Sequence, residues 1–249
     1  MLNRIFSFDS AKAIKANDYG YLNAIQYIAP FTLGGVGNLC PQASEGCKSL
    51  CLGEHSGQAG MVKNDSDINS VRKSRRDKAV RFMRDRKAYV ADVVRSIELA
   101  EIKAAKLGLK LCVRLNGSSD IAWEGIGCTR NGVAFKSIYL AFPHVQFVDY
   151  TKNHYRFGRD LPANLHLTFS RSETNEATAI ELLARGVNVA VVFAGTAPTM
   201  WNGFETIDGD KHDLRHLDKR ASGLGGGYVV ALTPKGRKAK RDVSGFVVR

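Results

Sequence analysis

The chain has 249 residues, 44% of them hydrophobic and 24% charged. That balance excludes a disordered or collagen-like chain, and no apolar run reaches the eighteen residues that would suggest a membrane-spanning helix. With 36 Lys and Arg against 24 Asp and Glu, the net charge is +12, which suggests either an anionic partner such as nucleic acid or simply a solubilising surface.

Residues 1–20 show no clear period, and their Lys, Asn and Asp read as a surface lead-in. The start also lacks the apolar core of a signal peptide. Tyr21 to Pro30 reads as a first strand. Phe31 to Gly60 is rich in Gly, Pro, Ser and Asn and has little periodicity, so it reads as a long functional loop. From Asn64 the texture turns helical, with Asp65 or Ser66 as a cap and Val71, Ala79, Val80, Phe82 and Met83 recurring among basic residues. A second helix is expected from about Arg86 to Leu107, its apolar face carrying Tyr89, Val90, Val93, Val94, Ile97, Leu99 and Ala100, with Gly108 ending it.

Beyond Gly108, short apolar strands with polar ends follow: Leu109–Leu115, Val145–Tyr150, Leu165–Phe169, Val187–Phe193 and Tyr228–Leu232. A helix from about Asn175 to Arg185 separates two of them. Strands apolar along their length, alternating with helices, predict a parallel sheet covered on both faces. The expected fold is one α/β domain over 1–249, a partial or complete (β/α) barrel with the site at the carboxyl ends of its strands.

Those strand ends are unusually polar. Arg114, Asn116, Ser118 and Asp120 close one, Asp149, Tyr150 and Lys152 the next, and Ser170, Arg171, Ser172 and Glu173 a third. We expect Arg114, Asn116, Asp149, Lys152, Arg171 and Glu173 to line a pocket, with Lys152 and Glu173 as an acid/base pair. Asp208, Asp210 and Asp213 lack EF-hand spacing and are expected to pair with Lys211, Arg215 or Lys152.

The chain has five cysteines and no export signal, which points to a reducing cytosol rather than a disulfide framework. Cys40, Cys47 and Cys51 fall within twelve residues as C-x6-C-x3-C. Thiolates are soft ligands that select zinc or iron–sulfur clusters. An iron–sulfur cluster, [4Fe-4S] or [3Fe-4S], is favoured, because the C-x2-C knuckle usual for zinc is absent. Zinc with His55 as a fourth ligand is the alternative. Cys112 reads as a core residue, and Cys128 is not expected to be a ligand.

A second reading takes the protein as a nucleic-acid binder with a structural zinc or iron–sulfur site. Arg72, Lys73, Arg75, Arg76, Lys78, Arg81, Arg84, Arg86 and Lys87 form a basic helical stretch, and Lys235 to Arg241 a basic tail, although no recognised nucleic-acid module is present. Trp123 and Trp201 are more readily buried anchors than base-stacking platforms. Gly223 to Gly227 reads as a flexible turn, since it lacks the Lys-Ser/Thr of a phosphate loop.

A cysteine loop after the first strand of a partial barrel resembles the layout of radical S-adenosylmethionine enzymes. Those enzymes carry C-x3-C-x2-C and a Gly-Gly-Glu after the second strand. Only Cys47-x3-Cys51 matches part of the first, and Asn116-Gly117-Ser118 stands in place of the second, which argues against S-adenosylmethionine as a cofactor. A closer resemblance lies in LCPQASEGCKSLCLG, RLNGSSDIAWE, VQFVDYTKN, NLHLTFSRSE, NVAVVF and IDGDKHDLR, taken in order. Together they resemble the phage gene product 88 family from about residue 30 to the C-terminus. The family's three cysteines match Cys40, Cys47 and Cys51. The resemblance implies a phage origin and action inside a bacterial host, and it supplies no reaction.

Overall fold

The computed structural model describes residues 5–219 and 226–249. In chain order the strands are β1 (Phe6–Ser7), β2 (Tyr21–Gln26), β3 (Lys110–Arg114), β4 (Cys128–Arg130), β5 (Val133–Phe135), β6 (Gln146–Thr151), β7 (Leu165–Ser170), β8 (Val189–Val192), β9 (Met200–Trp201), β10 (Phe204–Asp208) and β11 (Val229–Leu232). The helices are α1 (Ala11–Lys15), α2 (Glu45–Ser49), α3 (Leu52–His55), α4 (Ser70–Arg84), α5 (Arg86–Lys106), α6 (Ile138–Ala141), α7 (Glu176–Ala184) and α8 (Gly236–Lys240).

Nine strands form one sheet in the order β1-β2-β3-β6-β7-β8-β11-β10-β9, and β4 and β5 form a separate hairpin. Every ladder from β2 through to β10 is parallel, while β1 and β9 add antiparallel edges. The fold is therefore α/β with a large, mostly parallel sheet. Its order starts at β1 and ends at β9, and no ladder joins these two edges among the described residues.

Alternation along each strand sorts the two faces of the sheet. Leu22, Ala24, Leu111, Val113, Phe147, Leu165 and Leu167 share a core with Phe82 of α4 and Tyr89, Val90, Val93, Val94 and Ile97 of α5. On the other face, Cys112 and Val148 pack with Ala16 and with Leu214 from the β10–β11 connection. A further core joins α7, through Ala179, Leu182 and Leu183, to Phe169, Val189, Val191 and Val229.

Several elements differ from the expected ones. The helix after Asn64 begins later, at Ser70, because the Asn69 side chain accepts from the Arg72 amide at 2.9 Å. Residues 5–20 are not a plain lead-in, since Ile5 and Phe6 are buried in the main core and α1 and a short 3-10 turn follow. The loop expected at Phe31–Gly60 holds α2 and α3. Leu99, placed on the apolar face of α5, is 50% exposed. The hairpins β4–β5 and β9–β10 were not expected; both turn through Asn-Gly pairs with positive φ, 50° and 79° at Asn131-Gly132 and 49° and 83° at Asn202-Gly203. Residues 223–225 of the glycine-rich turn lie outside the described residues. No helix among the described residues is long and apolar enough to cross a membrane.

Candidate metal centre

Parallel strands end on the same rim, so the polar residues that follow β3, β6 and β7 are neighbours by topology. The cysteine loop leaves the end of β2 and is laced to that rim. Gly117 donates to the Gln26 carbonyl at 2.9 Å, Ser118 Oγ to the Ile28 carbonyl at 2.7 Å, and the Asp120 amide to the Leu39 carbonyl at 2.9 Å. A Cβ on Gly117 would stand 2.5 Å from the Gln26 carbonyl, so only glycine lets the two segments approach this closely.

A second set of contacts holds α2, which carries Cys47. Ser44 caps it by accepting from the Cys47 amide at 3.2 Å. Glu173, just past β7, accepts from Ser44 Oγ at 2.8 Å and from the Gly46 amide at 2.7 Å. Gly46 permits this approach, since a Cβ there would lie 2.8 Å from the Glu173 carboxylate and 2.5 Å from Ser244 Oγ. Leu50 packs with Ala239 of α8 and Val247, while the Val248 amide donates to the Val192 carbonyl at 2.9 Å. The loop is thus gripped by β3, β7 and the last residues of the chain.

Within this grip Cys40 is buried, and Cys47 and Cys51 are half-buried. Cys40 Sγ lies 3.8 Å from the Ser118 carbonyl. The thiols are electrostatic neighbours: Cys47 acts on both Cys40 and Cys51, and Cys40 acts on Cys51. Burial pushes the Cys40 thiol up to about 12, with Asp120 and Cys47 adding to the rise and Lys152 opposing it. Burial pushes Cys51 up to about 12 as well. A metal ion bound to these two thiols would have to displace their protons. The His55 ring nitrogens face Asp65 at 3.8 Å and Lys238 at 3.5 Å, and burial, then Lys238, lowers its pKa. Among the described residues no three His, Cys, Asp or Glu side chains converge closely enough to hold one metal ion.

The other expected site residues are mostly committed to holding the rim. Asp149 is buried and accepts from the Asn116 amide at 3.1 Å and from its Nδ2 at 2.8 Å. Burial raises its pKa to about 7, opposed by Arg114 and Arg156. Asn116 also donates to the Ile121 carbonyl and accepts from Ser119 Oγ and the Ile121 amide, so its side chain is a knot in the β3 loop. Arg114 pairs with Asp213 at 3.5 Å and lies over the Tyr150 ring. Arg171 pairs with Glu176 and donates to the Phe246 carbonyl at 3.0 Å. The Lys152 ammonium donates to Ser170 Oγ at 2.9 Å, and its amide donates to Asp120 at 2.8 Å. Lys152 and Glu173 form no ion pair among the described residues, and both Glu173 oxygens serve the α2 grip.

Three other expectations are corrected. Arg72 is fully buried, paired with Glu54 at 3.2 Å, and donates to the carbonyls of Ala59, Asp65, Asp67 and Glu54, so it holds the loop instead of a phosphate. Lys78 is buried too, and Arg75 turns inward to the Gly53 carbonyl, which leaves Lys73, Arg84, Arg86 and Lys87 as the exposed cations of the stretch. Asp213 pairs with Arg114 and Asp210 with Lys235 at 3.2 Å, partners the spacing did not indicate. Cys112, Cys128 and Trp123 are buried, the last two in the main core. Sequence reasoning missed Ser44 and Arg75 as parts of this centre. The Ser44-x-x-Cys47 spacing was the available signal for the first, as a cap three residues before a cysteine.

Residues 4–249 match the model of the gene product 88 family, and the chain belongs to that family. A search of curated proteins finds no match, and neither does a search of solved structures.

Proposed function

We propose that this member of the gene product 88 family carries an iron–sulfur cluster on Cys40, Cys47 and Cys51, at the carboxyl rim of its parallel sheet. The observation that carries this reading is the grip itself. Glu173, Ser44 and the C-terminal residues hold α2, which carries Cys47, at the strand ends, and the Cys47 thiol is an electrostatic neighbour of Cys40 and Cys51. A soft, all-sulfur donor set suits zinc or an iron–sulfur cluster. A single zinc needs its ligands converging at about 2.3 Å from one centre. Among the described residues no three such side chains converge on one ion, and His55 is turned toward Asp65 and Lys238. An iron–sulfur cluster takes each thiolate at a separate iron, so it does not ask for one shared centre.

Topology supports the same reading. β2, β3, β6, β7 and β8 are parallel neighbours in chain order, with the cysteine loop after the first of them, and β11 then inserts between β8 and the earlier parallel strand β10. That order is compatible with the winding of a partial (β/α) barrel, and our reading places a cluster loop at its mouth, as in the radical-S-adenosylmethionine-like layout. The cysteine spacing and the Asn116-Gly117-Ser118 segment do not extend the likeness to S-adenosylmethionine itself. A bound cluster would supply one-electron transfer or, at an iron without a thiolate, a Lewis acid. The chain's own part is to orient the loop through Glu173 and Ser118, with Lys152 opposing the rise of the Cys40 thiol.

The test is iron and acid-labile sulfide analysis of anaerobically purified protein and of Cys40→Ser, Cys47→Ser and Cys51→Ser. Iron and sulfide in the parent and near-complete loss in each variant support the reading. A parent chain holding one zinc and no sulfide removes it.

A further inference from the structure

The basic residues of this chain divide into those the fold consumes and those it leaves facing water. On α4, Arg72, Arg75 and Lys78 turn into the structure, Arg76 pairs with Glu54 at 3.6 Å, and Lys73 pairs with Asp77 at 2.8 Å. In the C-terminal run, Lys235 pairs with Asp210 at 3.2 Å and Lys238 with Asp65 at 2.6 Å. Arg237, Lys240, Arg241 and Arg249 are exposed, and none of them forms an ion pair among the described residues.

These four cations stand on a docked scaffold and not on a loose tail. Ala239 of α8 and Val247 pack with Leu50, and α8 packs on α3. The Val248 amide donates to the Val192 carbonyl at 2.9 Å, and the Ala194 amide donates to the Val248 carbonyl at 2.9 Å. Positions 237, 240 and 241 follow the i, i+3, i+4 spacing of one helix face, while Ala239 is buried on the other. Arg249 donates to the carbonyls of Asp242 at 2.8 Å and Lys240 at 3.5 Å, which sets its guanidinium beside the end of α8. The acid within the run faces inward. Asp242 is 5% exposed, and its carboxylate accepts from the Ser244 amide, the Ser244 hydroxyl and the Val247 amide at 2.7–2.9 Å. The other exposed set, Arg84, Arg86 and Lys87 between α4 and α5, has the exposed Asp85 in its midst.

We infer that this face of α8, with Arg249, binds the phosphodiester backbone of a nucleic acid. A nucleic-acid strand offers repeated anions to cations spaced a helix turn apart, and each pairing releases a counterion. Backbone contacts carry no sequence information, so binding here is insensitive to sequence. The net charge of +12 draws such a partner toward the chain. The phosphate contact that the sequence suggested for α4 thus moves to α8. The inference does not rest on the cluster, because none of its residues is a proposed ligand.

The experiment measures binding of the full chain to labelled duplex DNA and to labelled single-stranded RNA, each in two unrelated sequences, across a salt series. It compares the parent with the triple variant R237Q, K240Q, R241Q. A second triple variant, R84Q, R86Q, K87Q, removes the same charge from the α4–α5 junction. The expected result is parent binding to at least one of the two nucleic acids, alike for its two sequences. The α8 variant should lose roughly tenfold or more in affinity, and its log–log salt slope should be shallower by about three. The junction variant and the charge-keeping R237K, K240R, R241K form should both bind like the parent. No binding by the parent overturns the inference, as do equal losses in the two neutral variants. A charge-keeping form as weak as its neutral counterpart overturns it too, and so does a parent that binds anionic phospholipid vesicles in preference to both nucleic acids.

Discussion

The two ends of the parallel sheet are closed in opposite ways. At the amino end of β2, β3 and β6 lies an open groove of about 740 Å³, lined by Tyr21, Ala104, Leu109, Lys110, His144 and Gln146 among others. Its chemistry is sparse, and its Glu101 contacts His144 and pairs with Arg130 at 3.2 Å. The carboxyl end is crowded, with three thiols, the Arg75 and Lys152 cations, and a set of carboxylates whose oxygens are already engaged. Volume alone gives this groove a weak claim to function, because chemistry needs positioned reactive groups more than it needs volume.

The contrast breaks most completely at the cysteines. Cys40→Ser, Cys47→Ser or Cys51→Ser should abolish iron binding. Cys112→Ala, in the core beneath the sheet, should keep full iron and lose about 1 kcal/mol of stability in a denaturant melt. Equal iron loss from Cys112→Ala would erase the distinction between the two cysteine sets.

The next largest effect is expected at Arg72. Arg72→Ala leaves Glu54 buried without this partner and frees four carbonyls, which should cost about 3–5 kcal/mol. A mere phosphate contact would instead melt like the parent and lose only salt-dependent nucleic-acid binding. This residue also marks the limit of reading the sequence. A run of Arg and Lys on a helix has the same appearance whether it faces solvent or a loop full of carbonyls. Only the folding of residues 53–67 beneath α4 decides which. The apolar segments were more readable, since β3, β6, β7, β8 and β11 are buried on both faces and announce themselves as apolar runs. The two Asn-Gly hairpins were readable in principle, but their strands of two to five residues lack a period to flag them.

At the candidate site the cysteines stood out through spacing, whereas the role of Glu173 did not. Its partners, Ser44 and Gly46, lie more than a hundred residues away, so no local pattern joins them. Glu173→Ala removes an acceptor for two donors and should cost about 2 kcal/mol while lowering iron content. Glu173→Gln, which keeps one acceptor, should retain more of both. If Glu173 acts as a proton donor instead, Glu173→Gln will load iron normally.

A smaller and pH-dependent effect is expected at Asp149. Its folded pKa of about 7 lies above the ordinary carboxylate value, so the folded state holds a proton the unfolded state releases. This group therefore makes stability fall as pH rises from about 4 to 7, by up to about 1.4 kcal/mol per unit. It adds nothing further to the slope above that window. Asp149→Asn should remove that part of the slope, as seen by comparing denaturant midpoints of the two proteins at pH 5 and 7. Parallel curves would contradict it. The smallest effect belongs to the amino-end groove. His144→Ala, at an exposed pair, should change stability by less than about 1 kcal/mol and leave iron untouched.

The most direct measurement is the metal and sulfide content of anaerobically purified protein, read beside its absorption spectrum. Iron and acid-labile sulfide in equal amounts, with a broad absorption band in the blue that bleaches on reduction, is the predicted result. A colourless chain with one zinc and no sulfide would contradict the central claim.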